Sequence, residues 1–217
     1  MGEFDSKIIA QKCQKLADEI SSHVKLDKSL YNAFASIERE IFTPKGFKHQ
    51  AYKLDPLPLS QDQWISSPLT VAKMTLALEI DKSVDSVLEI GCGSGYQAAV
   101  LSKLIRRVFT IERIEPLLLE AKRCFKMLGI SNIHTRFDDG QKGWRDYAPY
   151  DRILLSASVK KAPENLLEQL GENSILVAPV ESASKQIITQ FIKTKNGIRI
   201  KTLEECLFVP ILDGISR

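Results

Sequence analysis

Three glycines at alternate positions, Gly91, Gly93 and Gly95, separate a β-rich run at residues 84–90 from a helical pattern over residues 96–105. A strand that turns directly into a helix through glycines opens a β-α-β unit, and the residues beyond repeat the alternation. Residues 108–112 read as a second strand, and 115–128 as a helix stopped by Gly129, a good residue just past a helix end. Residues 132–137 and 151–156 give two more strands, 163–170 a helix and 174–179 a fifth strand. Residues 186–192 and 198–212 read as two long strands around Lys195-Asn196-Gly197, because Asn-Gly is a strong hairpin signal. The pattern predicts an α/β fold, with a doubly wound, mostly parallel sheet and antiparallel C-terminal strands at one edge.

Upstream the texture differs. Over residues 8–24, Ile9, Cys13, Leu16, Ala17 and Ile20 recur at helical spacing, and over 28–37 Leu30, Ala33, Phe34 and Ile37 do the same. Residues 43–64 hold Pro44, Gly46, Pro56 and Pro58 and read as loop and extended chain. A third helix opens at Pro68 with Ser67 as its N-cap and Leu69, Ala72, Leu76 and Ile80 as its apolar face. With 217 residues, one domain is expected, residues 1–80 forming a helical extension on an α/β core at 81–217.

Composition narrows the partners. Hydrophobic residues at 44% and charged residues at 26% exclude a disordered or fibrous chain. A net charge of +3 gives nucleic-acid binding no help. Cys13, Cys92, Cys124 and Cys206 share no CxxC spacing, and His23, His49 and His134 form no metal-ligand pattern, so reduced thiols and no metal are expected. No apolar run reaches membrane-spanning length and the N-terminus lacks a signal-peptide core, which leads us to expect a cytoplasmic protein with no membrane partner.

In open α/β sheets ligands bind beyond the carboxyl ends of the strands, where the glycine turn lies. Glu112, at the end of the second strand and 21 residues beyond Gly91, is placed to hydrogen-bond a ribose diol. A dinucleotide site wants a small residue at the sixth position of the turn; Tyr96 stands there and disfavours NAD and FAD. The run from Glu89 through Gly91, Cys92, Gly93 and Gly95 instead resembles the first motif of class I methyltransferases, which implies S-adenosylmethionine, with S-adenosylhomocysteine as its product, on a Rossmann-like sheet. In that reading the turn at Asp139-Gly140, ending the third strand, faces the adenine.

Longer stretches resemble the protein-L-isoaspartate O-methyltransferases. Residues 87–101 and 108–113, Asp139-Gly140 with Gly143-Trp144, and residues 148–151 carry the likeness. So do Ile65-Ser66-Ser67-Pro68, residues 39–44, Ala51-Tyr52 and Phe208-Val209-Pro210. The resemblance implies methyl transfer to the α-carboxylate of isoaspartyl residues in damaged proteins and peptides by a monomeric enzyme. It assigns Ser66 to the catalytic site, Gln63 and Ile65 to the cofactor, and Trp64 with Ser66 to the substrate. Such chemistry needs no general base, because a carboxylate is already ionised at neutral pH.

The chain departs from the family pattern at Asp62-Gln63-Trp64, where glycine, glutamine and threonine are usual, at Asp138 for glycine, at Glu172-Asn173 for two glycines, and at Cys92 for threonine. Cys92 reads as a packing residue. Two other classes compete. One is a nucleic-acid methyltransferase, disfavoured for base-amino chemistry because Leu155-Ser156-Ala157-Ser158 replaces the Asp/Asn-Pro-Pro-aromatic run. The other is a non-catalytic cofactor-binding homologue, motivated only by Asp62 and Trp64.

Overall fold

The structure, a computed structural model, describes residues 3–217, with side chains from Ser6 onward. Helix α1 (Glu3–His23) is followed by α2 (Lys28–Ser36), whose N-cap Asp27 accepts from the Leu30 amide at 2.8 Å. The proline-rich segment is more ordered than its composition predicts. It holds two short 3-10 turns (Arg39–Phe42 and Lys45–Gln50) and a small antiparallel hairpin of β1 (Leu57–Pro58) and β2 (Trp64–Ile65).

Helix α3 (Pro68–Ala77) starts as expected, with Ser67 Oγ accepting from the Thr70 amide at 3.0 Å. Its burial is not one-sided. Val71, Ala72, Met74, Thr75 and Ala77 are buried, Leu69 and Leu76 only partly, and Ile80 lies past the helix end. Gln97 donates to Thr75 Oγ1 at 3.0 Å and Gln190 to the Ala77 carbonyl at 2.6 Å, so neighbours close on it from several directions. A helix wrapped on several sides buries residues beyond one stripe, which a single-face reading misses.

The core then alternates β3 (Ser86–Ile90), α4 (Tyr96–Ser102), β4 (Arg107–Glu112), α5 (Glu115–Met127), β5 (Ile133–Phe137) and β6 (Tyr150–Leu155). After it come a one-turn helix α6 (Glu164–Leu167), β7 (Leu170–Ser182), β8 (Lys185–Thr194) and β9 (Gly197–Cys206). The sheet order is β5-β4-β3-β6-β7-β8-β9, parallel from β5 to β7 and antiparallel at β8 and β9. Strand order therefore reverses at β3, between β4 and β6, which puts the switch point above the glycine turn.

Three boundaries differ from the sequence reading. Helix α6 is shorter because β7 begins early, at Leu170, crossing an irregularity opposite Tyr150 and Arg152. Strand β9 ends at Cys206, and the rest of the chain folds back over the carboxyl ends of the parallel strands. Ser158 brackets this tail, donating from its amide to the Val209 carbonyl at 2.8 Å and accepting from the Ile211 amide at 2.9 Å.

The central parallel strands β3, β4 and β6 are buried on both faces, as crossover connections require, whereas the edge strand β9 is exposed. Val87, Val108, Leu154 and Val177 face a cluster that runs without a break into α1, α2, α3, α4 and α5, while Leu88, Phe109, Ile153 and Leu176 face the other side. Among the described residues no helix is long and apolar enough to cross a membrane, and no disulfide joins the cysteines.

Gly95 starts α4 with φ of +90°, and a Cβ there would sit 2.7 Å from the Phe125 ring. Gly95→Ala adds backbone strain to overpacking, so it should lower unfolding free energy by about 2–4 kcal/mol. Urea unfolding at constant m-value measures this, and an unmoved midpoint would contradict the packing.

Candidate active site

The glycine turn satisfies its own backbone. The Gly91 and Cys92 amides donate to the Ile111 carbonyl at 2.9 and 3.2 Å, and the Gly95 amide to the Cys92 carbonyl at 2.8 Å. The Gly93 amide donates to Glu112 Oε2 at 2.7 Å, while Glu112 Oε1 accepts from the Ile114 amide at 2.9 Å. One carboxylate thus ties the turn after β3 to the end of β4. Gly93 has φ of +54°, and a Cβ there would meet nothing nearer than Leu59 at 4.0 Å, so its backbone is bare toward the cavity.

That cavity brings together most of the residues expected from sequence. Gln63, Trp64, Ile65 and Ser66 line it from the hairpin, Gly91, Cys92 and Gly93 from the turn, and Glu112 and Gly140 from the strand ends. Ser67 caps α3, whereas the Ser66 hydroxyl has no hydrogen-bond partner among the described residues. This separation of roles between adjacent serines leaves one hydroxyl free for a ligand.

Three expected residues sit elsewhere. Gly95 is behind the turn, against α5. The Asp139 carboxylate accepts from the Gln141 amide at 3.0 Å and the Gly214 amide at 3.0 Å, so it clamps the C-terminal tail beside the cavity wall. Glu89 is fully buried below the turn, where Thr110 Oγ1 donates to its Oε2 at 2.5 Å and Oε1 has no partner. Burial pushes the Glu89 carboxyl up to about 8, with Glu112 adding repulsion. Burial likewise raises Glu112, opposed by the amides it accepts from. Cys92 is buried and its thiol is driven well up, chiefly by desolvation, which makes it an inert packing group.

The most consequential residue that pattern reading passed over is Arg39. It is fully buried, and its guanidinium donates to the carbonyls of Ala51 (2.6 Å), Lys53 (3.4 Å), Asp55 (3.4 Å) and Ser66 (3.2 Å). The Tyr96 ring lies 5.5 Å from it. Nothing local marks this role, since all four acceptors are backbone groups 12 to 27 residues away. The tail was also missed as a wall: Val209, Pro210, Ile211 and Leu212 line the cavity. Arg113 Nε holds it through the Gly214 carbonyl at 2.9 Å.

The donor set fits a methyl-sulfonium nucleoside: a bare glycine backbone, a carboxylate at the ribose position and apolar walls from Val71, Ile90, Ile111 and Leu117. Among the residues lining the cavity the ionisable ones are Cys92, Tyr96, Glu112 and Arg113. Burial raises both Cys92 and Tyr96, so neither supplies a base at neutral pH. The site is arranged to position reactants rather than to move protons.

Two measurements follow from these contacts. Arg39→Met strands four carbonyls, so it should cost about 2–5 kcal/mol in urea unfolding, with Arg39→Lys recovering part of the loss; unchanged stability would refute the hub. For Glu89, the folded-state value near 8 lies above the ordinary 4.5, so the folded form holds the proton longer. Stability should therefore fall as pH rises from about 4.5 to about 8, and Glu89→Gln should flatten that slope; identical slopes would contradict it.

Comparisons with known proteins agree with this geometry. The sequence profile of the family described as protein-L-isoaspartate(D-aspartate) O-methyltransferase matches residues 11–216. A protein-L-isoaspartate O-methyltransferase of Helicobacter pylori strain J99 is 56% identical over 202 residues, covering 93% of this chain and 96% of the relative. One of that name from Desulfosudis oleivorans is 39% identical over 212 residues, covering 98% and 96%. A solved protein-L-isoaspartate O-methyltransferase superposes with a TM-score of 0.84 at 26% identity, over 93% of this chain and 66% of that one. A Plasmodium falciparum structure in complex with S-adenosyl-L-homocysteine superposes with a TM-score of 0.81 over 92% of this chain and 98% of its own; at 22% identity it shows the fold. The chain thus belongs to the protein-L-isoaspartate O-methyltransferases, the S-adenosylmethionine-dependent protein carboxyl methyltransferases.

Proposed function

We propose that this chain acts in the cytoplasm as a monomer, and that it methylates the α-carboxylate of isoaspartyl residues in damaged polypeptides. The observation that carries the reading is the unpartnered Ser66 hydroxyl lining the same cavity as the glycine turn and Glu112. S-adenosylmethionine supplies an electrophilic methyl group on a sulfonium. Glu112, whose oxygens each keep a free lone pair, accepts from the ribose hydroxyls. Gly91 and Gly93 let the backbone approach the nucleoside, while Gln63 and Ile65 cover it. Gly140, which lines the cavity, would receive the adenine, with Asp139 fixing that turn.

Ser66 donates to the substrate carboxylate and orients one oxygen toward the methyl carbon. Arg39 sets where Ser66 stands, by holding its carbonyl. Proximity and alignment provide most of the acceleration. Opposite charges neutralise as the methyl moves, so the apolar walls assist the reaction. The backbone amide nitrogen of the next residue then attacks the ester carbonyl and expels methanol, closing a succinimide, and water opens that ring in part to normal aspartate. Residues 1–80 and 81–217 work as one unit in this scheme, since Ser66 belongs to the first and the cofactor turn to the second.

Labelled S-adenosylmethionine with paired peptides, differing only in isoaspartate or aspartate at one position, tests the reading beside a tRNA and rRNA sample. Base-labile label in the isoaspartyl peptide alone is expected. Label in RNA and none in peptide would overturn it, and cofactor binding with no transfer to any substrate would leave a binding protein. Ser66→Ala removes one hydrogen bond to a charged group, so kcat/KM for the isoaspartyl peptide should drop about 10- to 100-fold with cofactor affinity unchanged.

A further inference from the structure

Asp62 lies in the five-residue connection between β1 and β2, residues 59–63, and Trp64 opens β2 directly after it, so the position of both is tightly set. Pro58 pairs with Trp64 and Leu57 with Ile65 in register, and the Leu59 amide donates to the Gln63 carbonyl at 2.7 Å. Gln61 and Asp62 both hold positive φ, 60° and 56°, a conformation that side-chain-bearing residues rarely adopt twice in succession. This backbone presents Trp64 outward while Ile65 enters the core and Ser66 is half-buried at the cavity. The indole is 56% exposed although it lines the cavity. A large aromatic surface left in water at the mouth of a binding site is a ready contact for a ligand.

Asp62 is exposed and makes no ion pair or side-chain hydrogen bond among the described residues. Its charge opposes the approach of an anionic substrate. The cation lining the cavity, Arg113, is committed to the tail carbonyls of Asp213 and Gly214. Asp62, two residues before Trp64 in the chain, therefore sets a carboxylate next to an exposed aromatic face, and the cation among the described residues lining the cavity is tied to the tail. A cationic side chain satisfies both groups at once, through cation–π attraction and Coulomb attraction. An apolar side chain uses only the indole, and an acidic one is repelled.

We infer that the Asp62–Trp64 rim makes this enzyme prefer isoaspartyl sites with a lysine or arginine next to the isoaspartate. The inference rests on the repair reading above and adds the class of flanking residue to it.

The test uses the full-length protein and isoaspartyl peptides identical except for lysine, norleucine or glutamate, placed before the isoaspartate in one series and after it in another. In at least one series the lysine peptide should exceed norleucine in kcat/KM by about tenfold, and glutamate by more, the latter ratio shrinking in high salt. Asp62→Asn should reduce the lysine-over-glutamate ratio. Trp64→Ala should shrink the lysine-over-norleucine ratio to the part that Asp62 supplies and Trp64→Phe retain much of it, with S-adenosylhomocysteine binding confirming that each variant is folded. Equal kcat/KM across both series, or a preference that neither Asp62→Asn nor Trp64→Ala changes, would overturn this inference alone. No methyl ester on any isoaspartyl peptide would overturn the repair reading and this inference with it.

Discussion

The guanidinium of Arg39 is the point to which the upper half of the site is attached. A buried cation is costly unless its donors are used, and here the carbonyls of Ala51, Lys53 and Asp55 in one short segment, and of Ser66, take that part. Because the partners are backbone groups, the interaction fixes chain path rather than side-chain identity. It binds the segment after the 3-10 turns to the residue that enters α3, and the Tyr96 ring extends the contact to the first turn of α4. The backbone of Ser66 and the helix that follows the glycine turn are thereby held against one shared group. Misplacement of such partners by an ångström is enough to lose much of the benefit of proximity.

Below this, two carboxylates divide the work around the glycine turn. Glu112 receives amides from Gly93 and Ile114 and keeps lone pairs for a ligand. Glu89 is cross-strand neighbour to Thr110 and supports the turn from the buried side, with one oxygen unpartnered. Asp139 completes the frame from β5, since its grip on Gly214 draws the tail across the strand ends and closes a wall. Position relative to the sheet separates three acids that look alike in sequence: one at the cavity, one under it, one holding its edge.

How much was legible follows from what each signal depends on. Strand and helix order and the Ser67 cap rest on local periodicity and capping, the glycine turn and Glu112 on motif spacing, and Ser66 on the family resemblance; the structure brings Ser66, the turn and Glu112 to one cavity. The misread parts depend on distant chain. The one-turn α6 reflects pairing of Leu170 with Tyr150, and the end of β9 reflects capture of the tail by Ser158, neither of which leaves a local pattern. The burial of α3 on more than one face comes from neighbours on several sides, which no single-face pattern records. Arg39 falls within residues 39–44 that carry the family likeness, but its role as a hub depends on backbone groups 12 to 27 residues away and leaves no local pattern.

The central claim is that the nucleoside and the acceptor carboxylate meet in this one cavity, on Glu112 and Ser66 respectively. A crystal structure of the protein with S-adenosylhomocysteine and an isoaspartyl peptide tests it most directly. The account predicts the ribose hydroxyls on the Glu112 carboxylate and the isoaspartyl α-carboxylate on the Ser66 hydroxyl, one oxygen facing the sulfur. A nucleoside bound away from the glycine turn, or a peptide carboxylate held by groups other than Ser66, would contradict it.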